Sequence, residues 1–180
     1  MLKTITTYGV IAGVIVGAPM LFMTLAFHDH PPLAFGMVIG YATMLIALST
    51  VFLAIKRQRD VAGGGVIKFW PALGMGLAIS LIASVFYVGT WEVTQALTGN
   101  DFAAGYARTL IAEKQASGAS PAEVEAVRAQ MARFIVQYRD PLYRLPMTFS
   151  EIFPVGVLVS LVSAGLLRNR RFLPARPLAA

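Results

Sequence analysis

The stretch MTFSEIFPVG, residues 147–156, places a carboxylate, a proline and a glycine at the entrance to the last apolar run of the chain. That run continues to about residue 167, and about 20 apolar residues in a helix cross a bilayer core of about 30 Å. Glu151 is charged in water, so its place beside a membrane-length segment needs a physical reason. The stretch predicts a membrane-spanning helix with an acid at its start.

The composition of the whole chain agrees with a membrane protein. Hydrophobic residues make up 57% and charged residues 13% of the 180 positions, far from the average of soluble proteins. The net charge of +6 does not indicate nucleic acid, because the basic residues gather beside the apolar runs, as the positive-inside rule describes. We therefore expect the lipid bilayer, and not nucleic acid, as a partner. Cysteine is absent, which excludes disulfides and thiolate chemistry.

Four apolar stretches have the length of a membrane span. They predict an all-α membrane protein of one domain, with transmembrane helices at about 7–27, 33–55, 71–97 and 148–167. Residues 99–144 between the last two spans are polar. There Asn100 or Asp101 caps one predicted helix, and Ser120 and Glu123 form a capping box that starts a second. Because Asp140 and Pro141 end this second helix, the insert is predicted to be a helical hairpin.

The charges also predict an orientation. Lysine and arginine flank the start of the first span, the end of the second and the end of the fourth, whereas the first turn between spans has none. The positive-inside rule then places both termini in the cytoplasm and the insert outside.

Small residues recur at four-residue spacing in the first two spans. Gly9, Gly13 and Gly17 fall on one helix face, and Gly36 and Gly40 repeat the spacing in the second span. Bare backbone on one face permits close contact with a neighbouring helix, so we interpret these glycines as helix-packing positions.

The predicted topology brings five ionisable side chains to the outer level of the membrane, as a candidate polar or ion-binding cluster. Its members are Glu151, Glu92, His28, Asp29 and His30. If the two glutamates lie within about 4 to 6 Å, repulsion raises one pKa and a proton is shared. One histidine added to them would suit a divalent metal, although a His-x-His turn at a membrane surface is more often simply solvated. The metal question stays open, and no organic cofactor is expected.

Each glutamate also has a plainer interpretation. Pro154 suits a first helical turn, and Glu151 would then be an N-terminal acid stabilised by the helix dipole. Glu92 would instead face lipid headgroups or form an ion pair with an arginine of the insert, namely Arg108, Arg139 or Arg144.

Several motifs together resemble one known family. They are YGVIAGVIVGAP at 8–19, IGYATMLIALS at 39–49, the triple glycine before Phe69, YVGTWEV at 87–93 and MTFSEIFPVG. This set is similar to the bacterial membrane family called domain of unknown function 4199. The resemblance implies a four-helix protein of the bacterial cytoplasmic membrane, and it implies no activity.

The chain contains no nucleophile elbow, HExxH helix or phosphate-binding loop, so we predict a non-enzymatic membrane component that assembles with itself or with a membrane-protein partner. The alternative is a small proton- or cation-coupled transporter subunit that uses Glu151 and Glu92. Four helices seldom enclose a pathway, so this alternative also requires an oligomer. A membrane enzyme with the two carboxylates as acid and base is a third hypothesis.

Overall fold

The computed structural model describes residues 1–26, 36–99 and 102–174, and in these ranges every regular element is a helix. Four helices are long and apolar enough to cross a membrane, which confirms the predicted fold class. In chain order the helices are α1 (Leu2–Ala26), α2 (Gly36–Arg57) with a π-helical turn (Gln58–Ala62) after it, α3 (Phe69–Leu97), α4 (Phe102–Ala116), α5 (Pro121–Tyr138) and α6 (Pro141–Leu167).

The last long helix begins earlier than predicted. α6 starts at Pro141 and not near residue 148, and the Asp140 carboxylate caps it by accepting the Leu142 N–H at 2.9 Å. The Asp-Pro pair therefore follows one helix and begins the next, because an N-cap acid and a first-turn proline are both start signals. Arg144, assigned to the insert from the sequence, lies in the first two turns of α6.

The four long helices run alternately up and down. Each has two neighbours in the cyclic order α1, α3, α6, α2, and α2 also touches α3 across the bundle. The end with the start of α1 and the end of α6 carries most of the lysines and arginines beside the spans, and we call it the basic end. The opposite end carries α4 and α5, and we call it the insert end. The largest apolar side chains buried between the four helices are Leu48, Ile55, Ile79, Ile152 and Leu167.

Three glycines of α1 allow this helix to approach α3 closely. A Cβ built on any of the three α1 glycines would come within 2.5 to 2.7 Å of an α3 side chain, too close for two real atoms. Facing Gly9, Gly13 and Gly17 are, in order, Ile82, Phe86 and Thr90. The two helices therefore touch through matching four-residue repeats. On α2, by contrast, a Cβ on Gly40 would meet nothing within 4 Å among the described residues, and Gly36 is exposed.

A reciprocal pattern joins α3 to α6. A Cβ on Gly76 would lie 2.7 Å from the hydroxyl of Ser160, and a Cβ on Gly156 would lie 2.7 Å from the hydroxyl of Ser80. The two serine hydroxyls are 3.3 Å apart, and Ser160 donates to the Gly156 carbonyl at 2.7 Å. Small residues thus allow a close approach, and the buried hydroxyls find partners. This contact fixes the register in which α3 and α6 present their polar side chains at the insert end.

A buried arginine ties down the chain after α6 at the basic end. Arg59, only 1% exposed, donates to the carbonyls of Phe172 and Leu173 at 2.9 and 2.5 Å and to Asp60 at 2.7 Å. Asp60 also accepts from Lys56 at 2.5 Å. The guanidinium charge is therefore compensated by a carboxylate, and each of its two terminal nitrogens donates one hydrogen bond to the tail backbone.

At the insert end, α4 and α5 pack on each other, with Tyr106 and Phe134 in an edge-to-face contact at 6.0 Å. α5 begins with a full capping box: Ser120 accepts from the Glu123 N–H, and the Glu123 carboxylate accepts from the Ser120 N–H at 2.8 Å. These hydrogen bonds hold the pKa of Glu123 below its ordinary value. α5 then continues through Arg139 and Asp140 into α6.

Candidate functional site

Glu92 and Arg144 form a two-pronged ion pair at the insert end. Arg144 donates from Nε to one carboxylate oxygen at 2.7 Å and from Nη2 to the other at 2.5 Å. Its side chain is 8% exposed and that of Glu92 is 29% exposed, so water screens the pair only from one side. A planar guanidinium matched to a carboxylate in this way fixes orientation as well as charge. Of the three candidate arginines, the structure therefore assigns Arg144 to Glu92.

Tyr138, the last residue of α5, links the insert to this ion pair. Its carbonyl accepts from Arg144 Nη1 at 2.9 Å, the guanidinium lies 5.8 Å from the centre of its ring, and its hydroxyl accepts from Trp91 Nε1 at 2.8 Å. Burial raises the pKa of Tyr138 to about 12, so the hydroxyl stays neutral at physiological pH. The end of α5, the start of α6 and α3 are thus joined by one polar network.

Glu151 has a different partner. The buried Tyr87 of α3 donates from its hydroxyl to the Glu151 carboxylate at 3.0 Å in a part-buried contact, and Glu151 as a residue is exposed on the bundle. A carboxylate has about four acceptor positions, and one tyrosine occupies only one of them. The Glu151 carboxylate can therefore accept further hydrogen bonds from a group outside the four helices.

The depth of Glu151 follows from α3. Trp70 and Trp91 are separated by about 32 Å along α3 at about 1.5 Å per residue, close to the bilayer core thickness of about 30 Å. Tryptophan favours the membrane interface, so the two rings mark the two boundaries. Tyr87 lies roughly 6 Å inward from Trp91. A bilayer with these two boundaries would place its partner Glu151 just inside the hydrocarbon region.

The two glutamates of the predicted polar cluster do not share a hydrogen-bond partner in the described parts of the chain. Glu92 pairs with Arg144 and Glu151 pairs with Tyr87, so each glutamate has its own hydrogen bonds. The other three predicted members, His28, Asp29 and His30, lie outside the described residues. Within 1–26, 36–99 and 102–174, no three His, Asp or Glu side chains come together as a metal site would require.

The plainer interpretation of Glu151 is wrong. Pro154 lies inside α6, and Glu151 is nearly three turns beyond the first residue of that helix, roughly 15 Å along the axis. The N-terminal partial charge of a helix acts only within the first turn. Its stabilisation therefore comes from Tyr87 and not from the helix dipole.

Sequence reasoning missed three residues of this region and left a fourth as one of several alternatives. Tyr87, Tyr138 and Gln95 looked like ordinary members of helices, and Arg144 was named only as one of three possible partners. Gln95 is 1% exposed, and its amide oxygen and nitrogen have no hydrogen-bond partner among the residues that the structure describes. In the sequence, the feature that indicates this polar region is the cluster of Trp91, Glu92 and Gln95 at the end of an otherwise apolar helix.

Comparison with protein families decides the relationship that the motifs suggested. The family model described as "Protein of unknown function (DUF4199)" matches residues 7–169. The chain belongs to the DUF4199 family. The match covers all four long helices and the insert, which confirms the suspected family. Searches of curated proteins and of solved structures give no match for this DUF4199 member.

The two glutamates of this region differ in their hydrogen-bond partners, which are a cation for Glu92 and a neutral hydroxyl for Glu151. Arg144 compensates the charge of Glu92 and donates one hydrogen bond to each of its oxygens. Glu151 retains unfilled acceptor positions, and Tyr87 is its neutral donor. This arrangement in a DUF4199 protein suits binding of a hydrogen-bond donor or a proton on the outer face of α6.

Proposed function

We propose that this protein is a non-enzymatic membrane component that functions by assembly, with a second copy or with another membrane protein, through the face of α6 that carries Glu151. The observation that carries the proposal is that Glu151 is an exposed residue whose carboxylate accepts one hydrogen bond, at a position that the tryptophan spacing puts at hydrocarbon depth. A polar group facing lipid there is costly, and acids in membrane helices nearly always face protein or a water-filled cavity. A partner helix that covers Glu151 would remove that cost.

The neighbouring surface of α6 supports the same proposal. Leu158 lies two turns below Glu151 on the same side of the helix and is 63% exposed. A partner therefore meets an apolar surface with one hydrogen-bonding group near its outer edge. Interhelical hydrogen bonds of this type contribute about 1 to 2 kcal/mol in model membrane helices.

A photo-crosslinking amino acid placed in the membrane helices tests this proposal. We expect the group at Leu158 to form a dimer or a heteromeric adduct in intact membranes, and the same group at Val14, an exposed position on α1, to give little adduct. Crosslinking at both positions in equal yield would mean collision in the bilayer and would remove the support for a specific face. Absence of any adduct at Leu158 would contradict assembly through α6.

We also propose the orientation and location. The basic end faces the cytoplasm of a bacterium and the insert end lies outside the cytoplasmic membrane, because lysines and arginines beside the spans concentrate at one end. The chain has no cysteine, so single-cysteine variants give a clean reading. A membrane-impermeant thiol reagent should label Ser117→Cys in the turn after α4 and leave Arg170→Cys unlabelled in intact cells. The reverse labelling pattern would invert the topology.

A second candidate function is a proton- or cation-coupled transporter subunit. The observation that favours it is the hydrogen bond between Glu151 and Tyr87, which gives an acid at hydrocarbon depth a neutral partner. Because the Arg144 cation compensates the charge of Glu92, Glu151 carries the coupling alone in this version. It still requires an oligomer to enclose a pathway.

Reconstituted vesicles distinguish the two candidates. A coupled transporter moves protons across the vesicle membrane when the parent chain is present and loses that flux in Glu151→Gln, whose side chain cannot exchange a proton with the pathway. An assembling component gives no flux in either case. Flux that survives in Glu151→Gln would exclude coupling through this residue.

A further inference from the structure

A small cavity lies at the basic end, far from the Glu151 face. Its volume is about 120 Å³, and it opens where the start of α1, the π-helical turn and the start of α3 meet. Most of its lining is apolar, and Gln58 is the one side-chain amide among the lining residues. The lining includes Gln58, Ala62, Gly63, Ile67, Pro71 and Met75.

Three exposed cationic residues lie close in the chain to the lining of this cavity. Arg57 precedes the lining residue Gln58 in the chain, and Lys68 follows the lining residue Ile67. Lys3 is two residues from Met1, which also lines the cavity. All three cationic residues are exposed. None of the three forms an ion pair with any part of the chain that the structure describes. The carboxylate of this region, Asp60, already holds Lys56 and Arg59. The chain beside the cavity therefore carries three cations that have no carboxylate partner among the described residues.

The depth of the cavity matches the boundary between headgroups and acyl chains. Trp70, 76% exposed beside Pro71, marks the membrane interface at the basic end. Met75 lies one and a half turns further along α3, about 7 Å deeper. The cavity thus extends from the level of phosphate groups to the first part of the hydrocarbon.

We propose that this cavity binds an anionic phospholipid. The lipid phosphate lies between Arg57 and Lys68, with Lys3 adding charge, and the glycerol and first acyl carbons fill the apolar interior beside Met75. Clusters of basic residues beside membrane helices attract anionic lipids, and charge complementarity selects them over zwitterionic ones. The apolar floor selects a lipid over a soluble phosphate, which would leave that floor in contact with water. This site is independent of the assembly proposed above.

The charge requirement is tested by lipid binding to the full chain in detergent, followed by native mass spectrometry. The probes are phosphatidylglycerol and phosphatidylcholine with identical acyl chains. We expect the parent chain to prefer phosphatidylglycerol, and Arg57→Gln and Lys68→Gln each to weaken that binding by about fivefold. Arg128→Gln, which removes an exposed arginine of α5, is the matched control and should bind as the parent does. Equal affinity of the parent for the two lipids would overturn the proposal.

The cavity itself is tested without changing any charge. Ala62 is exposed and lines the cavity, so Ala62→Trp fills part of it and should reduce phosphatidylglycerol binding, while circular dichroism and the elution volume stay those of the parent. Unchanged lipid binding in this variant would show that the cations attract lipid with no defined site, and would refute the cavity. Glycerol 1-phosphate is the soluble competitor. It should fail to displace the lipid, and displacement at equal concentration would contradict a lipid occupant.

Discussion

The guanidinium of Arg144 donates a hydrogen bond to each carboxylate oxygen of Glu92, at 2.7 and 2.5 Å, across the contact between α3 and α6. Removing one member of such a pair leaves a partly buried charge without its partner, which costs more than the pair itself is worth. The same guanidinium holds the last carbonyl of α5, so the pair also anchors the insert to the membrane helices.

Arg144→Gln should lower the free energy of unfolding by about 2 to 3 kcal/mol, since it deprives the Glu92 carboxylate of two charge-assisted hydrogen bonds. Thermal unfolding in mild detergent measures the loss. Arg128→Gln is the control, because its contact with Glu125 is exposed at 3.4 Å and such pairs contribute about 0 to 1 kcal/mol. Equal effects of the two substitutions would mean that the Glu92 pair is not structural.

Gly13→Ala should destabilise the bundle by about 1 to 3 kcal/mol, because its methyl group would lie 2.5 Å from the Cβ of Phe86 and α1 would have to move away from α3. Gly40→Ala is the matched control: its methyl group meets nothing within 4 Å, and alanine favours the helix by up to about 1 kcal/mol. Opposite signs of the two changes in melting temperature are the expected result. A stabilising Gly13→Ala would refute close α1–α3 contact.

Arg59→Gln should release the tail after α6, because the carbonyls of Phe172 and Leu173 would lose their donors. Trypsin cleavage after Arg170 should then become faster, measured by mass spectrometry of the trimmed chain. Arg57→Gln removes an exposed neighbouring arginine and should leave the cleavage rate unchanged. Equal rates in all three proteins would show that Arg59 does not restrain the tail.

The capping box of α5 gives a pH dependence. The pKa of Glu123 is lowered in the folded chain, so the carboxylate contributes stability above its unfolded pKa, and this contribution disappears as the pH falls through the lowered folded value. Glu123→Gln has no such titration. The stability difference between the parent and Glu123→Gln should therefore shrink on acidification. A difference that stays constant down to the acid range would contradict an ionised cap.

The long apolar helices were predictable because span length and hydropathy are properties of single segments. The start of α6 was not, since Asp140 and Pro141 read equally well as the end of one helix and the beginning of the next. Arg144 counted against an apolar span in the sequence. In the folded chain Glu92 compensates its charge, so the helix continues through it.

The partners of the two glutamates depend on the register between α3 and α6. That register is set by the contacts of Gly76 with Ser160 and of Gly156 with Ser80, which no local pattern reveals. Predicting that Glu92 and Glu151 lie at one end of the bundle needed only topology. Predicting that Glu92 meets Arg144 and Glu151 meets Tyr87 needed the register.

The face of α6 around Glu151 is the proposed surface through which the protein assembles. Energy transfer between donor-labelled and acceptor-labelled copies in lipid vesicles, measured as the labelled chains are diluted with lipid, tests it most directly for self-association. We expect energy transfer for the parent chain and an association weakened by roughly fivefold to thirtyfold in Glu151→Leu. Glu113→Leu removes an exposed acid of α4 and should associate as the parent does. Identical association of the parent and of Glu151→Leu would contradict assembly through this face. So would a parent chain that stays a 19.4 kDa monomer and also gives no adduct from Leu158 in native membranes.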